Sequence, residues 1–239
     1  MIRKILNIKK KNNISFSDYV ETYQREVQSS IDFAGQDLDF FIELKANLII
    51  NAARKYFSTP KSIRVLDIGS GIGLTDHHLA GYFANLHGID IEEGMIKKAS
   101  ARNPGVKYSL YDGLNLPFGD NSFDMVFAIN VMHHVPPDNW NNFVKEMLRA
   151  VKPEGISMVF EHNPLNPLTR LAVSRCEFDR DAVLIHKKNL KKIFRASGFK
   201  SAEEAFILFF PFKGKLYRGT EKILSWLPLG AQYIVSGKK

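Results

Sequence analysis

The sequence predicts an α/β fold, a doubly wound and mostly parallel sheet, and three observations carry that prediction. The first is a short apolar run, Ile63, Val65, Leu66 and Ile68, with the character of a parallel strand buried on both faces. The second is its continuation into three alternate glycines, Gly69, Gly71 and Gly73, and then a helical pattern from Leu74 through Leu79 to Phe83. The third is the repetition of that alternation, apolar run then helical stripe, along the rest of the chain. Glycine is needed where backbone turns sharply or meets a ligand at contact distance, because a Cβ would collide. A strand, a glycine turn and a helix in succession put the turn at the carboxyl edge of the sheet, where open α/β folds bind their ligands.

A chain of 239 residues suits one structural domain with appendages. Its 45% hydrophobic and 24% charged residues are those of an ordinary globular protein. One cysteine, Cys176, excludes an intramolecular disulfide framework and a thiolate-rich zinc site, and reads as a small packed side chain rather than a nucleophile. The opening MIRKILNIKKKNN is broken by Asn and Lys too early for a signal peptide, and the longest apolar run, AFILFF, falls far short of a span of about 20 residues. A cytoplasmic protein is expected. The net charge of +8 leaves room for an acidic partner.

Residues 1–57 read as an N-terminal tail and helical cap, and 58–239 as the sheet-bearing unit with insertions at 163–186 and 211–230. Arg3, Lys4, Lys9, Lys10 and Lys11 make a solvated tail. From Ser17 to Phe57 the pattern is helical, with Leu38, Phe41, Ile42, Lys45, Leu48, Ile49 and Ala52 on one stripe. Gly35 separates this helix from an earlier one that contains Tyr19, Val20, Tyr23 and Val27. Past the glycine turn, residues 74–84 form the first crossover helix. A second strand, Asn85 to Ile91, ends in Asp90. An ionised carboxylate at that strand tip can accept hydrogen bonds from both hydroxyls of a ribose. Glu92 to Ala99 begin the next helix, and RNPGV at 102–106 ends it and starts a third strand.

Two blocks resemble one family. VLDIGSGIG, residues 65–73, resembles the E/DxGxGxG turn of class I S-adenosylmethionine-dependent methyltransferases. It differs from the dinucleotide fingerprint, because Leu74 stands where GxGxxG requires Gly or Ala. YDGLNLPFGDNSFDMV, residues 111–126, resembles the family's GDaxxLPFxDxSFDxV link between the third and fourth strands. The resemblance is to the family's small-molecule members. It implies a Rossmann-like, seven-stranded sheet with the last strand antiparallel, S-adenosyl-L-methionine as cofactor and S-adenosyl-L-homocysteine as product. It also implies that Asp67 holds the methionyl amino group, that Gly69, Ser70, Gly71 and Gly73 lie along the cofactor, that Asp90 meets the ribose, and that Ile91 is among the cofactor-binding residues. Asp112 and the Gly113 amide would read the adenine, and Asn130 would stand at the fourth strand's tip. Tyr23, in SDYVETYQREV, either covers the cofactor or packs on the core.

The fourth strand, Asp124 to Ile129, delivers Asn130 through His134 to the same edge. His133 and His134 lack the i, i+4 spacing and the carboxylate of a helical zinc pair, so no metal is expected. PPDNW at 136–140 starts a helix whose buried stripe is Phe143, Val144, Met147, Leu148 and Val151. LRAVKPEG then leads into a fifth strand, ISMVFE. EHNPLNP, residues 161–167, departs from the family pattern; two Asn-Pro pairs make a rigid loop over the site. The resemblance places Glu161 and His162 among the substrate contacts. Residues 168–185 continue as an irregular or helical insertion that includes Asp179. A helix from Lys187 to Ala196 ends at Gly198. A sixth strand, Glu204 to Phe210, and a seventh, Ala231 to Ser236, complete the sheet. The basic amphipathic PFKGKLYRGTEKILSWLPLG between them reads either as a peripheral membrane contact across 213–229 or as a helix packed on the domain or at a dimer interface.

The implied reaction is O- or N-methylation of a small molecule: a sugar, a glycolipid precursor or a natural-product intermediate. A hydroxyl acceptor needs a base, and His162 is the first choice, with Glu161 and His134 behind it. AINV stands where amino-methylating nucleic-acid enzymes carry (D/N)PP(Y/F), which argues against nucleic acid as the acceptor. Three alternatives stay open: a membrane-surface lipid or quinone methyltransferase, a nucleic-acid methyltransferase, and a non-catalytic S-adenosylmethionine-binding protein. A monomer or homodimer is expected.

Overall fold

The computed structural model describes residues 22–212 and 215–239, without the side chains of residues 215–218 and 222. The basic tail, Tyr19, Val20 and residues 213–214 therefore lie outside the described residues. Seven strands are present among them: β1 (Arg64–Ile68), β2 (Asn85–Asp90), β3 (Lys107–Leu110), β4 (Phe123–Ile129), β5 (Val151–His162), β6 (Ser201–Ile207) and β7 (Gln232–Lys238). They form one sheet in the order β3-β2-β1-β4-β5-β7-β6, with β7 antiparallel to both its neighbours and the other pairs parallel. The order reverses at β1 and β4, so the crevice between their carboxyl ends is where this topology binds ligands.

Around the sheet lie α1 (Tyr23–Ile31), α2 (Leu38–Tyr56), α3 (Leu74–Ala80), α4 (Glu93–Arg102), α5 (Trp140–Ala150), α6 (Pro167–Arg175), α7 (Lys187–Ser197) and α8 (Lys215–Leu224). Alternation along each strand divides the core in two. Leu66, Ile68, Val126, Ala128 and Val159 pack with Phe143, Val144 and Met147 of α5 and with Leu190 and Phe194 of α7. Val65, Met125, Phe127, Met158 and Phe160 face the other way, onto Ala46, Ile49 and Ala53 of α2 and Leu79 of α3. Gly35, at φ 66°, closes a short 3-10 turn between α1 and α2, as the sequence predicts for that glycine. No helix among the described residues is long and apolar enough to cross a membrane.

The structure departs from the sequence reading at several boundaries. On α2 the fully buried side chains include Phe40, Ala46 and Ala53, while Phe41, Leu48 and Ala52 are only half-buried. The helix lies against two surfaces, the sheet and α3, so its buried face is wider than one stripe. The fifth strand begins at Val151 and contains a bulge: Phe123 pairs with Val151, Met125 with Ile156, and Glu154 takes φ 65° between them. The sixth strand is Ser201–Ile207 rather than Glu204–Phe210. Leu208 turns into the left-handed region at φ 60°, which ends the ladder and carries Phe209 and Phe210 off the sheet. Helix α3 stops at Ala80, before Gly81, shorter than the expected 74–84.

Leu66, with no exposed surface on a central strand, is the test of this packing. Leu66→Ala lowers stability by about 2–5 kcal/mol, since the rigid surroundings cannot collapse onto the space left. Chemical denaturation of the two proteins measures the difference.

Candidate active site

The glycine turn after β1 is built to keep side chains away from its outer face. Gly69, Gly71 and Gly73 all have positive φ, at 76°, 54° and 71°. A Cβ on Gly73 would meet Asn103 Nδ2 at 2.6 Å and the Tyr108 hydroxyl at 2.8 Å, whereas one on Gly71 would meet nothing within 4 Å. Asn103 holds the turn from behind: its Nδ2 donates to Gly73 O at 2.8 Å and to the Tyr108 hydroxyl at 2.9 Å. Asp90, at the tip of β2, accepts from the Gly71 amide on Oδ2 at 2.9 Å and from the Glu92 amide on Oδ1 at 3.0 Å. Its place at the strand tip is the expected one, and Ile91 beside it is exposed.

Beneath the turn lie two buried carboxyls. Asp76 Oδ2 accepts from the Tyr108 hydroxyl at 2.8 Å, but no donor among the described residues faces Asp67 Oδ1 or Asp76 Oδ1. Burial, then the charge of Asp76, pushes Asp67 well above the usual carboxylate range, and burial raises Asp76 to about 6. The pair keeps a proton that an ammonium group could replace. On the far side, Asp112 Oδ1 accepts from the Leu114 and Asn115 amides at 2.8 and 2.7 Å. Partial burial works against its charge, but the bonds from Asn115 and Leu114 outweigh it and hold the carboxyl below its ordinary value. Gly113 has φ 79°, and a Cβ there would press on Ile91 Cγ2 at 3.2 Å. Asn130 leaves β4 at φ 54° with Oδ1 unpartnered among the described residues, as is Ser70 Oγ.

The tips of β4 and β5 carry a cluster of histidines. Glu161, expected at the substrate, is 1% exposed and turned inward. Its Oε1 accepts from the Met132 amide at 2.8 Å and its Oε2 lies 2.7 Å from His133 Nδ1. Burial alone would lower His133, but the carboxylates of Glu161 and Asp179 push it up to about 10. His162 goes the other way, to about 4, through burial and then the neighbouring His133 charge. His134 and His162 both border Asp179, at 3.3 and 3.9 Å. Lys45 of α2 is buried nearby, and that burial lowers it to about 8 despite Glu161. Tyr23 packs edge-to-face on Phe178 at 5.1 Å and against Ile72 and Met95; burial and then the carboxylate of Asp179 raise its hydroxyl. Of the two roles expected of Tyr23, these contacts show the packing. Cys176 is buried and its thiol is pushed up to about 12, so it is held as an unreactive thiol.

Residues 66–159 match the family model described as a methyltransferase domain. The chain is 38% identical over 108 residues to the 2-methyl-6-phytyl-1,4-hydroquinone methyltransferase of Synechocystis, an alignment covering 44% of this chain and 33% of that one. It is 28% identical over 195 residues to an uncharacterized protein of Methanocaldococcus jannaschii, covering 78% of this chain and 80% of that one. A solved S-adenosylmethionine-dependent methyltransferase of Thermotoga maritima, a possible histamine N-methyltransferase, superposes with a TM-score of 0.64 at 22% identity, covering 94% of this chain and 98% of its own. Residues 66–159 therefore match a methyltransferase domain, and the fold around them is that of a solved S-adenosylmethionine-dependent methyltransferase.

The residues present fit S-adenosylmethionine, the cofactor on which the solved Thermotoga maritima methyltransferase depends. The open outer face of Gly71 leaves room for a ligand against the backbone. Ser70 Oγ and Asn130 Oδ1 are buried polar atoms without a partner among the described residues; the hydroxyl could donate to or accept from a ligand, and the amide oxygen could accept. Asp67 would hold the amino group, Asp90 the ribose, and Asp112 with Gly113 the adenine, with Ile91 against the ring. Sequence reasoning named His133 and Asp179 but gave neither a place in the site. A signal for His133 existed: Ser157, Val159 and Glu161 share one inward phase of β5, so a carboxylate there demands a buried partner. Asp179 arrives on a loop with no periodicity, and nothing in its local sequence marks it.

Calorimetry with S-adenosylhomocysteine tests Asp90. Each charge-assisted hydrogen bond contributes about 1.5–3 kcal/mol, so Asp90→Ala weakens binding by at least about tenfold; equal affinities would remove Asp90 from the site. The buried carboxyl pair sets a pH dependence. Because Asp76 binds its proton more tightly folded than unfolded, its contribution is full below about pH 4 and is lost as pH rises through about 6. Thermal melts of the cofactor-free protein at pH 4 and 7 should therefore show a smaller decline for Asp76→Asn than for wild type.

Proposed function

We propose that this protein transfers the methyl group of S-adenosylmethionine to a hydroxyl or amine of a small molecule. The observation that carries the reading is the pairing, at one sheet edge, of the cofactor crevice with the histidine cluster at the tips of β4 and β5. The bound cofactor supplies a methyl group on a sulfonium, open to in-line displacement. The protein's tasks are alignment, exclusion of water and removal of the acceptor's proton. Tyr23 and Phe178 cover the crevice. His162 Nε2, beside Asp179 Oδ2, is the proton acceptor in this reading, His134 lines the same wall, and Glu161 positions the loop instead of touching substrate. Incubation with radiolabelled cofactor and fractionated small molecules tests it: label should appear in an extractable product with wild type. His162→Ala should lose turnover while keeping S-adenosylhomocysteine affinity; full activity would discard His162 as base.

A second reading, an acceptor met at an anionic membrane surface, is favoured by one exposed apolar ridge. Leu165 and Leu168 are each 57% exposed, Trp226 72% and Leu229 65%. Asn163 Nδ2 donates to Pro228 O and Gly230 O, and Asn166 Nδ2 to Leu229 O, which joins the two loops into one surface at the His162 end of β5. Arg170 and Arg175 are exposed on α6 beside it. A lipid-like acceptor fits this ridge, as does the hydroquinone named for the Synechocystis relative. Cosedimentation with anionic phospholipid vesicles should occur for wild type and fall for the Trp226→Ser, Leu229→Ser double variant.

A further inference from the structure

Three donor atoms that the proposed transfer does not use converge beside it. His133 Nε2 lies 3.0 Å from His134 Nε2, and Asp179 Oδ1 stands 3.4 and 3.3 Å from the two. An ion held tetrahedrally at about 2.0–2.1 Å keeps its ligand atoms about 3.3–3.4 Å apart, so the triangle already has nearly the required sides. Two chain segments far apart in sequence supply it: the turn after β4, and the 3-10 turn Glu177–Asp179 after α6.

The surroundings favour the same conclusion. His133 Nδ1 faces Glu161 Oε2 at 2.7 Å, and a hydrogen held there leaves Nε2 with a lone pair directed at the triangle. A carboxylate behind an imidazole is the arrangement that fixes the ring of a metal-bound histidine and strengthens it as a ligand. Glu161 is itself anchored by the Met132 amide, so the support is rigid. His133 is fully buried while His134 and Asp179 keep some exposure, so an ion would enter from one side only.

We propose that His133, His134 and Asp179 bind a divalent transition-metal ion through Nε2, Nε2 and Oδ1. Two imidazoles and one carboxylate suit zinc, whose three-ligand sites keep a fourth position for water or substrate. His162 Nε2 stands 3.9 Å from the other oxygen of Asp179, so the proposed base lies next to this ligand set. The ion and an Nε2 proton on His133 are alternatives at this place. Binding of the ion does not depend on the methyl-transfer reading, and spacing rules for helical zinc pairs miss the site because its third ligand is remote in sequence.

The test uses the full chain and the metals alone. Equilibrium dialysis against zinc should leave one ion per chain, and cobalt in its place should give the intense visible bands of a tetrahedral complex. His134→Gln and Asp179→Asn should abolish both signals, and Glu161→Gln should weaken binding about 10–100-fold. S-adenosylhomocysteine affinity, measured on each variant, verifies that it is folded. Equal zinc retention by wild type and the two ligand variants, or no retention by any of them, overturns the proposal.

Discussion

The carboxylate of Glu161 has lost almost all contact with water, and the tips of β4 and β5 depend on how that loss is offset. A buried carboxylate is tolerable only if donors replace its hydration, and removing one partner of such a pair costs about 3–5 kcal/mol. Glu161 is met by the Met132 amide, more distantly by the His133 amide at 3.3 Å, and by the His133 ring. These bonds stitch the exit turn of β4 to the last residues of β5. Trp140 Nε1 fastens the same turn from its other side, donating to Met132 O and Val135 O at 3.0 and 2.9 Å. The histidines therefore sit on a turn that has little freedom to rearrange, which is what a preorganised site requires.

The link between β3 and β4, proposed to meet the adenosine, is held by a different device. Arg149 on α5 donates to Phe118 O at 2.7 Å and Leu116 O at 3.1 Å, while Glu146 accepts from the Leu116 amide at 2.9 Å. The long link between β3 and β4 is thus hydrogen-bonded along its backbone to one helix. Asn103 does the same for the glycine turn. With the loops braced from behind, buried polar atoms at the strand tips are left without a partner among the described residues: Ser70 Oγ, Asn130 Oδ1 and Asp67 Oδ1. Those are the atoms a ligand would satisfy.

How much of this was readable in advance follows from how local each signal is. The glycine turn, Asp90 and the LPF link are decided by residues a few positions apart, and the structure puts them where the sequence does. The parallel order and the antiparallel last strand were likewise legible. Burial phase was harder: α2 touches two surfaces, so its stripe was misread, and a left-handed Leu208 ended β6 three residues early. Glu161 was placed at the substrate because its position in the chain fits that role; only its side-chain direction, set by the alternation of β5, shows that it faces His133.

The division between what was legible and what was not coincides with a division of labour in the molecule. The groups proposed to bind the cofactor sit at strand tips and the turns next to them, where fold and sequence constrain each other. Asp179 comes instead from the insertion between β5 and α7, where α1 also packs, against α6 and the Glu177–Asp179 turn. Cap and insertion pack together on the side proposed for the acceptor, and both lie outside the segment that matches the family model. Residues held only by such appendages are free to differ while the sheet and its crevice stay fixed. The acceptor is therefore to be sought in the contacts of Tyr23, Phe178 and Asp179 rather than in the glycine turn that identifies the domain.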